Sequence, residues 1–333
     1  MWKIARRPLD LTSFILGLSS PDRPFFLNLE STYRCNLKCG FCNVWRNNPY
    51  PDEASTEAFK EKISDAWSLG CRLVSFAGGE PLLRGDVDIL VQHSLSLGYY
   101  VELVTNGVFL DKHLEDLRDI DLLAVSFSYD QGAFNRSRGT RLFNKIRYNI
   151  VEAKREGLNP VVFCTLDKET IPHLGETIQF AKKNDLKIHF DLVSYQPREG
   201  FDEVNWGEFK QNNDETLTRL SAEKKVYPRI RYGEYFLSRR KGLSINDYVL
   251  CQAPITTVSL KPDGSVSLPC LFHTLENSGS QPLREFWMSD KTREMRRKTG
   301  KHPFCEECNV ICMYWASMRG HPLEVLRWAK EML

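Results

Sequence analysis

From Pro24 to about Pro197 the chain alternates short, β-rich apolar runs with amphipathic stretches of helical period, and few architectures accept that pattern. Strand, helix and strand in repetition is the unit of a parallel sheet covered by helices. Six units are legible, with strands expected at Phe25–Ser31, Leu73–Ala77, Tyr100–Thr105, Leu122–Ser128, Pro160–Thr165 and Ile188–Ser194. Helices are expected near Ser55–Leu69, Val87–Leu97, Lys112–Leu117, Leu142–Glu156 and His173–Lys183. The expected fold class is α/β.

With 333 residues, 42% hydrophobic and 26% charged, the chain can bury a large core and carries no signature of disorder. Its 45 basic and 43 acidic residues nearly cancel, so no overall field draws it to nucleic acid or an anionic membrane. Ten cysteines are too few for a disulfide-built scaffold, and their close grouping points to metal ligation in a reducing, cytoplasmic setting. Lys3, Arg6 and Arg7 precede the apolar Phe14–Leu18 as in a signal peptide, but Asp10, Thr12 and Ser13 interrupt the apolar region. The Leu11, Phe14, Ile15, Leu18 stripe reads as an N-terminal helical segment within residues 1–23, packed on the α/β body, and peripheral membrane contact is not favoured.

Cys35, Cys39 and Cys42 form C-x3-C-x2-C directly after the first expected strand. A 4Fe-4S cluster normally takes four cysteine ligands, so a local set of three leaves one iron open to a small molecule. An open coordination position separates a catalytic metal site from a closed structural one. Zinc with a distant fourth ligand is the alternative this spacing leaves open.

With Phe41 before the last cysteine, this loop resembles that of the radical S-adenosylmethionine (radical SAM) superfamily, C-x3-C-x-aromatic-C. The resemblance implies a partial (β/α)6, TIM-like barrel over residues 24–198, and SAM chelated at the open iron and cleaved by one electron to a 5′-deoxyadenosyl radical. Gly78-Gly79-Glu80-Pro81 resembles the family's motif for the methionyl ammonium. Glycines let backbone come close to a ligand, and a carboxylate accepts hydrogen bonds from an ammonium. Thr105-Asn106, Ser126, Ser128 and Arg138 are weaker family-like positions, and relatives often carry Asp where Ser128 stands. All of these lie at or near the C-terminal ends of expected strands, the rim where parallel barrels assemble active sites.

Residues 199–248 are polar, helical in tendency and short of strand signals, and read as a connector. Beyond it, 249–333 resembles a SPASM or twitch domain, a small Cys-rich β-hairpin and helix unit that binds an auxiliary 4Fe-4S cluster. Thr256–Leu260 and Ser265–Leu268 flank the hairpin turn Pro262-Asp263-Gly264. The candidate ligands are Cys251, Cys270, Cys305, Cys308 and Cys312, one more than a single cluster needs. Cys251, Cys270, Cys305 and Cys308 are the first choice, with Cys308 and Cys312 in place of Cys305 as the alternative and a zinc ribbon as the competing use. Cys71 and Cys164 lie at or within expected strands and read as small buried hydrophobes, and the seven histidines are dispersed.

The expected activity is reductive SAM cleavage and hydrogen abstraction, fed by an external donor such as flavodoxin or ferredoxin. No single side chain stands out as catalytic. The residues before the first strand are fewer than a leader-binding domain needs, which tilts the expected substrate toward a small or lipid-like molecule, with a peptide as the alternative. An iron-sulfur or zinc protein that only binds or transfers electrons is the reading from another class.

Overall fold

Alternate residues of the first strands are apolar and the residues between them polar, so two different surfaces must form. The computed structural model describes residues 23–46, 50–192, 213–232 and 251–305. Strands β1 Phe26–Thr32, β2 Leu73–Gly78, β3 Tyr100–Thr105, β4 Leu122–Ser126, β5 Pro160–Leu166 and β6 Lys187–Leu192 are parallel neighbours in sequence order. Helices α1 Thr56–Leu69, α2 Val87–Leu97, α3 Gln131–Arg138, α4 Phe143–Arg155 and α5 Leu174–Lys183 alternate with them. Leu27, Leu29, Val74, Phe76, Val101 and Leu103 are fully buried in the main apolar cluster, where α1 and α2 supply Phe59, Ile63, Leu90 and Val91. Each such side chain stabilises the fold by about 1.5–3 kcal/mol. The opposite face carries Asn28, Glu30, Ser75, Glu102 and Ser126, so its inner surface is polar, unlike a sheet sandwiched between two apolar helix layers.

The expected boundaries lie within a few residues of those found, and local chemistry fixes them. Ser55 caps α1 through its Oγ, which accepts from Ala58 N. Asp130 caps α3 in the same way, accepting from Ala133 N at 2.7 Å, and Gly139 ends it in the left-handed region at φ 58°.

Three expectations need correction. No α-helix occupies Lys112–Leu117: a 3-10 turn at Leu110–Lys112 is followed by further turns, whose backbone bonds run mostly three residues back, as in His113 N to Leu110 O, with a single four-back bond from Leu117 N to His113 O. The fourth strand stops at Ser126 rather than Ser128, and the following polar stretch forms α3, whose few apolar residues hid its period. The connector, expected to lack strands, contains helix α6 Asn213–Val226 and then β7 Ile230–Tyr232, a three-residue edge strand parallel to β6 and too short to signal itself.

The C-terminal part continues the same sheet. Hairpin strands β8 Thr257–Leu260 and β9 Val266–Pro269 are followed by antiparallel β10 Thr274–Asn277 and helices α7 Leu283–Met288 and α8 Asp290–Arg297. Strand β8 pairs in parallel with β1, giving ten strands in the order β10-β9-β8-β1-β2-β3-β4-β5-β6-β7. The N-terminal helical segment, much of the connector, Cys308 and Cys312 lie outside the described residues. Among those described, no helix is long and apolar enough to cross a membrane.

Candidate functional site

The chain leaves β1 directly into the cysteine loop, and the end of β2 must clear it. A Cβ on Gly79 would lie 2.2 Å from Arg34 O and 2.7 Å from Tyr33 O, and one on Gly78 2.3 Å from Thr32 O. Gly78 also holds φ at 118°, which a side chain disfavours. The close approach served by these glycines is therefore to the backbone entering the cysteine loop. Gly79 N and Glu80 N bond Thr32 O and Arg34 O at 2.7 and 2.8 Å, completing the joint.

Glu80 is wholly buried, and its two oxygens accept from Leu82 N, Thr105 Oγ1 and Asn106 N at 3.2, 2.7 and 2.7 Å. It braces the β2 end, with the short Pro81–Leu83 turn, against the β3 end. Burial pushes its carboxyl up to about 7, partly opposed by these hydrogen bonds. Asn106 reaches onward, donating through Nδ2 to Asn36 Oδ1 at 2.8 Å inside the cysteine loop. Asn36 gave no sequence signal beyond its place between cysteines.

The other side of the loop rests on the C-terminal end of α3. Gly40 N donates to Ser137 O at 2.9 Å, and a Cβ on Gly139 would lie 2.7 Å from Lys38 O. Buried Arg138 lies over the Phe41 ring, 5.3 Å from its centroid, and hydrogen-bonds the Cys39 thiol. Ser137 donates to Asp167, a pair that sequence inspection missed because neither residue sits in a motif. Burial raises the Cys35 thiol to about 12 and raises Cys39 as well, while Cys39 and Cys42 lie near enough for their charges to act on Cys35. The loop thus gathers three thiols in surroundings that disfavour thiolates unless a cation compensates. Ser126 ends β4, and Ser128 beyond it keeps a buried Oγ with no hydrogen-bond partner in the structure.

In the C-terminal part, Cys251, Cys270 and Cys305 are partly buried and, like the cysteines of the first loop, in no disulfide. His273, three residues after Cys270, stacks on Phe304, which precedes Cys305, at 4.2 Å between centroids and 15° between planes. The Cys270 and Cys305 segments therefore touch. Among the described residues, no group of three or more His, Cys, Asp or Glu is drawn tightly enough to hold a single metal ion.

Residues 29–181 match the radical SAM superfamily, and residues 251–309 match the SPASM iron-sulfur cluster-binding domain. The chain is 30% identical over 164 residues to the PqqA peptide cyclase of Bradyrhizobium diazoefficiens, covering 47% of this chain and 43% of that protein. It is 27% identical over 220 residues to a probable GTP 3′,8-cyclase of Archaeoglobus fulgidus, covering 63% and 73% of the two. Against the first relative the chain thus spans less than half of that protein's length. The crystal structure of Streptococcus suis SuiB bound to its precursor peptide SuiA superposes with a TM-score of 0.70 at 17% identity, covering 88% of this chain and 71% of that one. The same enzyme bound to S-adenosylmethionine gives 0.69. At such identity the likeness concerns the fold.

Proposed function

The chain belongs to the radical SAM superfamily and carries a C-terminal SPASM/twitch-type iron-sulfur domain, and from that premise we propose that it modifies a peptide by radical chemistry. Its cofactors are a SAM-binding 4Fe-4S cluster, an auxiliary cluster and SAM. Together the first cluster and SAM supply, when bound, a 5′-deoxyadenosyl radical able to abstract a substrate hydrogen.

The residues present fit these groups. Cys35, Cys39 and Cys42 would hold the first cluster, and the thiols raised by burial would ionise against its irons. Ser128, with its orphaned buried hydroxyl, would bond SAM, alongside Ser126 on the same rim. Thr105 and Asn106, locked by Glu80, hold the β3 end beside the cysteine loop and so would orient that side of the rim toward SAM. Arg138 would position the loop through Cys39 and Phe41. Gly78, Gly79 and Pro81 shape the end of β2 and would present its backbone to SAM. Cys251, Cys270, Cys305 and Cys308, with Cys312 as the alternative, would hold the auxiliary cluster in a domain assigned to 249–333, after a core at 24–198 and a connector at 199–248.

The observation that carries the peptide reading is the pairing of two peptide-acting relatives: the cyclase that shares 30% identity and the structural neighbour solved with its precursor peptide. These favour a peptide over the small or lipid-like substrate expected from the sequence. The probable GTP cyclase keeps a small molecule as the second reading. The test is co-expression with short peptides encoded near the gene, followed by mass spectrometry of each. A SAM-dependent mass change in one peptide supports the reading. Unchanged peptides, with 5′-deoxyadenosine release stimulated by a nucleotide instead, would replace it with the second.

A further inference from the structure

Arg138 ends the last turn of α3 only 5% exposed, and among the described residues no carboxylate forms an ion pair with it. A buried charge is costly unless an opposite charge compensates it, so the compensating anion must belong to what this guanidinium faces. It faces the cysteine loop, lying 5.3 Å from the Phe41 ring centroid and 5.6 Å from that of Phe134. Burial raises the Cys39 thiol, and Arg138 acts most strongly against it, by its charge and by a hydrogen bond, while Asp167 acts more weakly in the opposite sense.

The residue before Arg138 is tied at both ends. Ser137 O accepts from Gly40 N at 2.9 Å inside the cysteine loop, and the Ser137 hydroxyl donates to Oδ2 of Asp167, just beyond the end of β5. Asp167 is buried, and its other oxygen accepts from Glu169 N and Thr170 N at 3.0 and 2.8 Å. A fixed carboxylate at the β5 end thus holds, through one hydroxyl, the turn that carries Arg138.

We propose that Ser137 and Asp167 are positioning residues that hold the Arg138 guanidinium against the Cys39 sulfur and thereby raise the reduction potential of the cluster assigned to this loop. This rests on that assignment and goes beyond it to the redox poise of the cluster. On reduction a one-electron donor loses one electron and the cluster gains it, with no proton or bond exchanged. The ligand sulfurs become more negative, and a fixed cation hydrogen-bonded to one of them favours the reduced form. That bias falls with distance, so an arginine released from its anchor supplies less of it.

The test is a potentiometric titration of the reconstituted protein, followed by electron paramagnetic resonance without SAM. A parallel sample with SAM identifies the signal of this cluster by its change. Arg138→Gln should shift the equilibrium toward the oxidised cluster about tenfold, or about 59 mV for one electron. Ser137→Ala changes no charge and keeps the carbonyl that Gly40 uses, and it should shift the equilibrium the same way by about threefold. The Ser137→Ala/Arg138→Gln double variant should match Arg138→Gln alone, because Ser137 acts through the arginine. Ser137→Thr, which keeps the hydroxyl, should keep the wild-type potential. An unchanged potential in Arg138→Gln or Ser137→Ala would overturn the proposal, as would shifts that add in the double variant. Loss of iron in Ser137→Ala would also overturn it, by placing the hydroxyl in cluster assembly instead of redox poise. Wild type that assembles no cluster in this loop would sink the functional reading, whereas equal potentials on intact clusters would sink this proposal alone.

Discussion

Glu80 is the clearest place to test the account of the site, because it joins two loops and bears a charge in full burial. Its carboxyl sits at about 7 against an ordinary 4.5, with burial outweighing the three hydrogen bonds it accepts. At about 1.4 kcal/mol per unit, carrying the ionised form costs about 3 kcal/mol relative to the unfolded chain. The value is raised, so the stability is fully present below pH 4.5 and is lost as pH rises through about 7. Glu80→Gln removes this dependence but mismatches one of the donors from Leu82, Thr105 and Asn106, at a cost of about 1–3 kcal/mol. Wild type should therefore be the more stable near pH 5, and the gap should close by about 2.5 kcal/mol near pH 8. Urea unfolding of both metal-free proteins at the two pH values measures this. A stability difference that stays constant across that range would refute the assignment of a buried, readily protonated Glu80.

Gly79→Ala should lower stability by about 3 kcal/mol and reduce iron retention, since its Cβ would lie 2.2 Å from the Arg34 carbonyl. Gly85→Ala, with no atom within 4 Å, is the control and should change the melting temperature little. Ser128→Ala removes a hydroxyl that has no partner, so the apo protein should keep its stability within about 0.5 kcal/mol. SAM affinity, followed by calorimetry, should fall about five- to tenfold, the worth of one hydrogen bond. Reconstituted wild type should bind about eight irons and the Cys35→Ala/Cys39→Ala/Cys42→Ala protein about four, by elemental analysis. Zinc in place of the second four would reject the auxiliary cluster.

The barrel was legible because its period is local: each strand alternates apolar residues that meet helices with polar ones that face inward, and each run ends in a turn motif. The rim was legible for the same reason, since Gly78, Thr105 and Ser126 close the strands they follow. Contacts between distant segments were not. Gly79 also clears the backbone of Tyr33 and Arg34, forty-odd positions earlier in the chain. Glu80 also accepts from Thr105 and Asn106, a contact that only the pairing of β2 with β3 creates. Likewise β7 and β10 carry too few residues for a period and form only because β6 and β9 offer unpaired edges. His189 and Asp191, bonded at 2.9 Å on β6, and Glu102 on β3, whose buried carboxyl is raised by burial and feels both, are single inward positions that no motif marks.

The central claim is that the three-cysteine loop supports reductive cleavage of SAM. The most direct measurement is product analysis after anaerobic incubation of reconstituted protein with SAM and dithionite. The account predicts 5′-deoxyadenosine and methionine in equal amounts from wild type, and neither from the protein lacking Cys35, Cys39 and Cys42. Wild-type protein that carries intact clusters and yields no 5′-deoxyadenosine would contradict it, leaving a chain that binds iron-sulfur clusters for electron transfer alone.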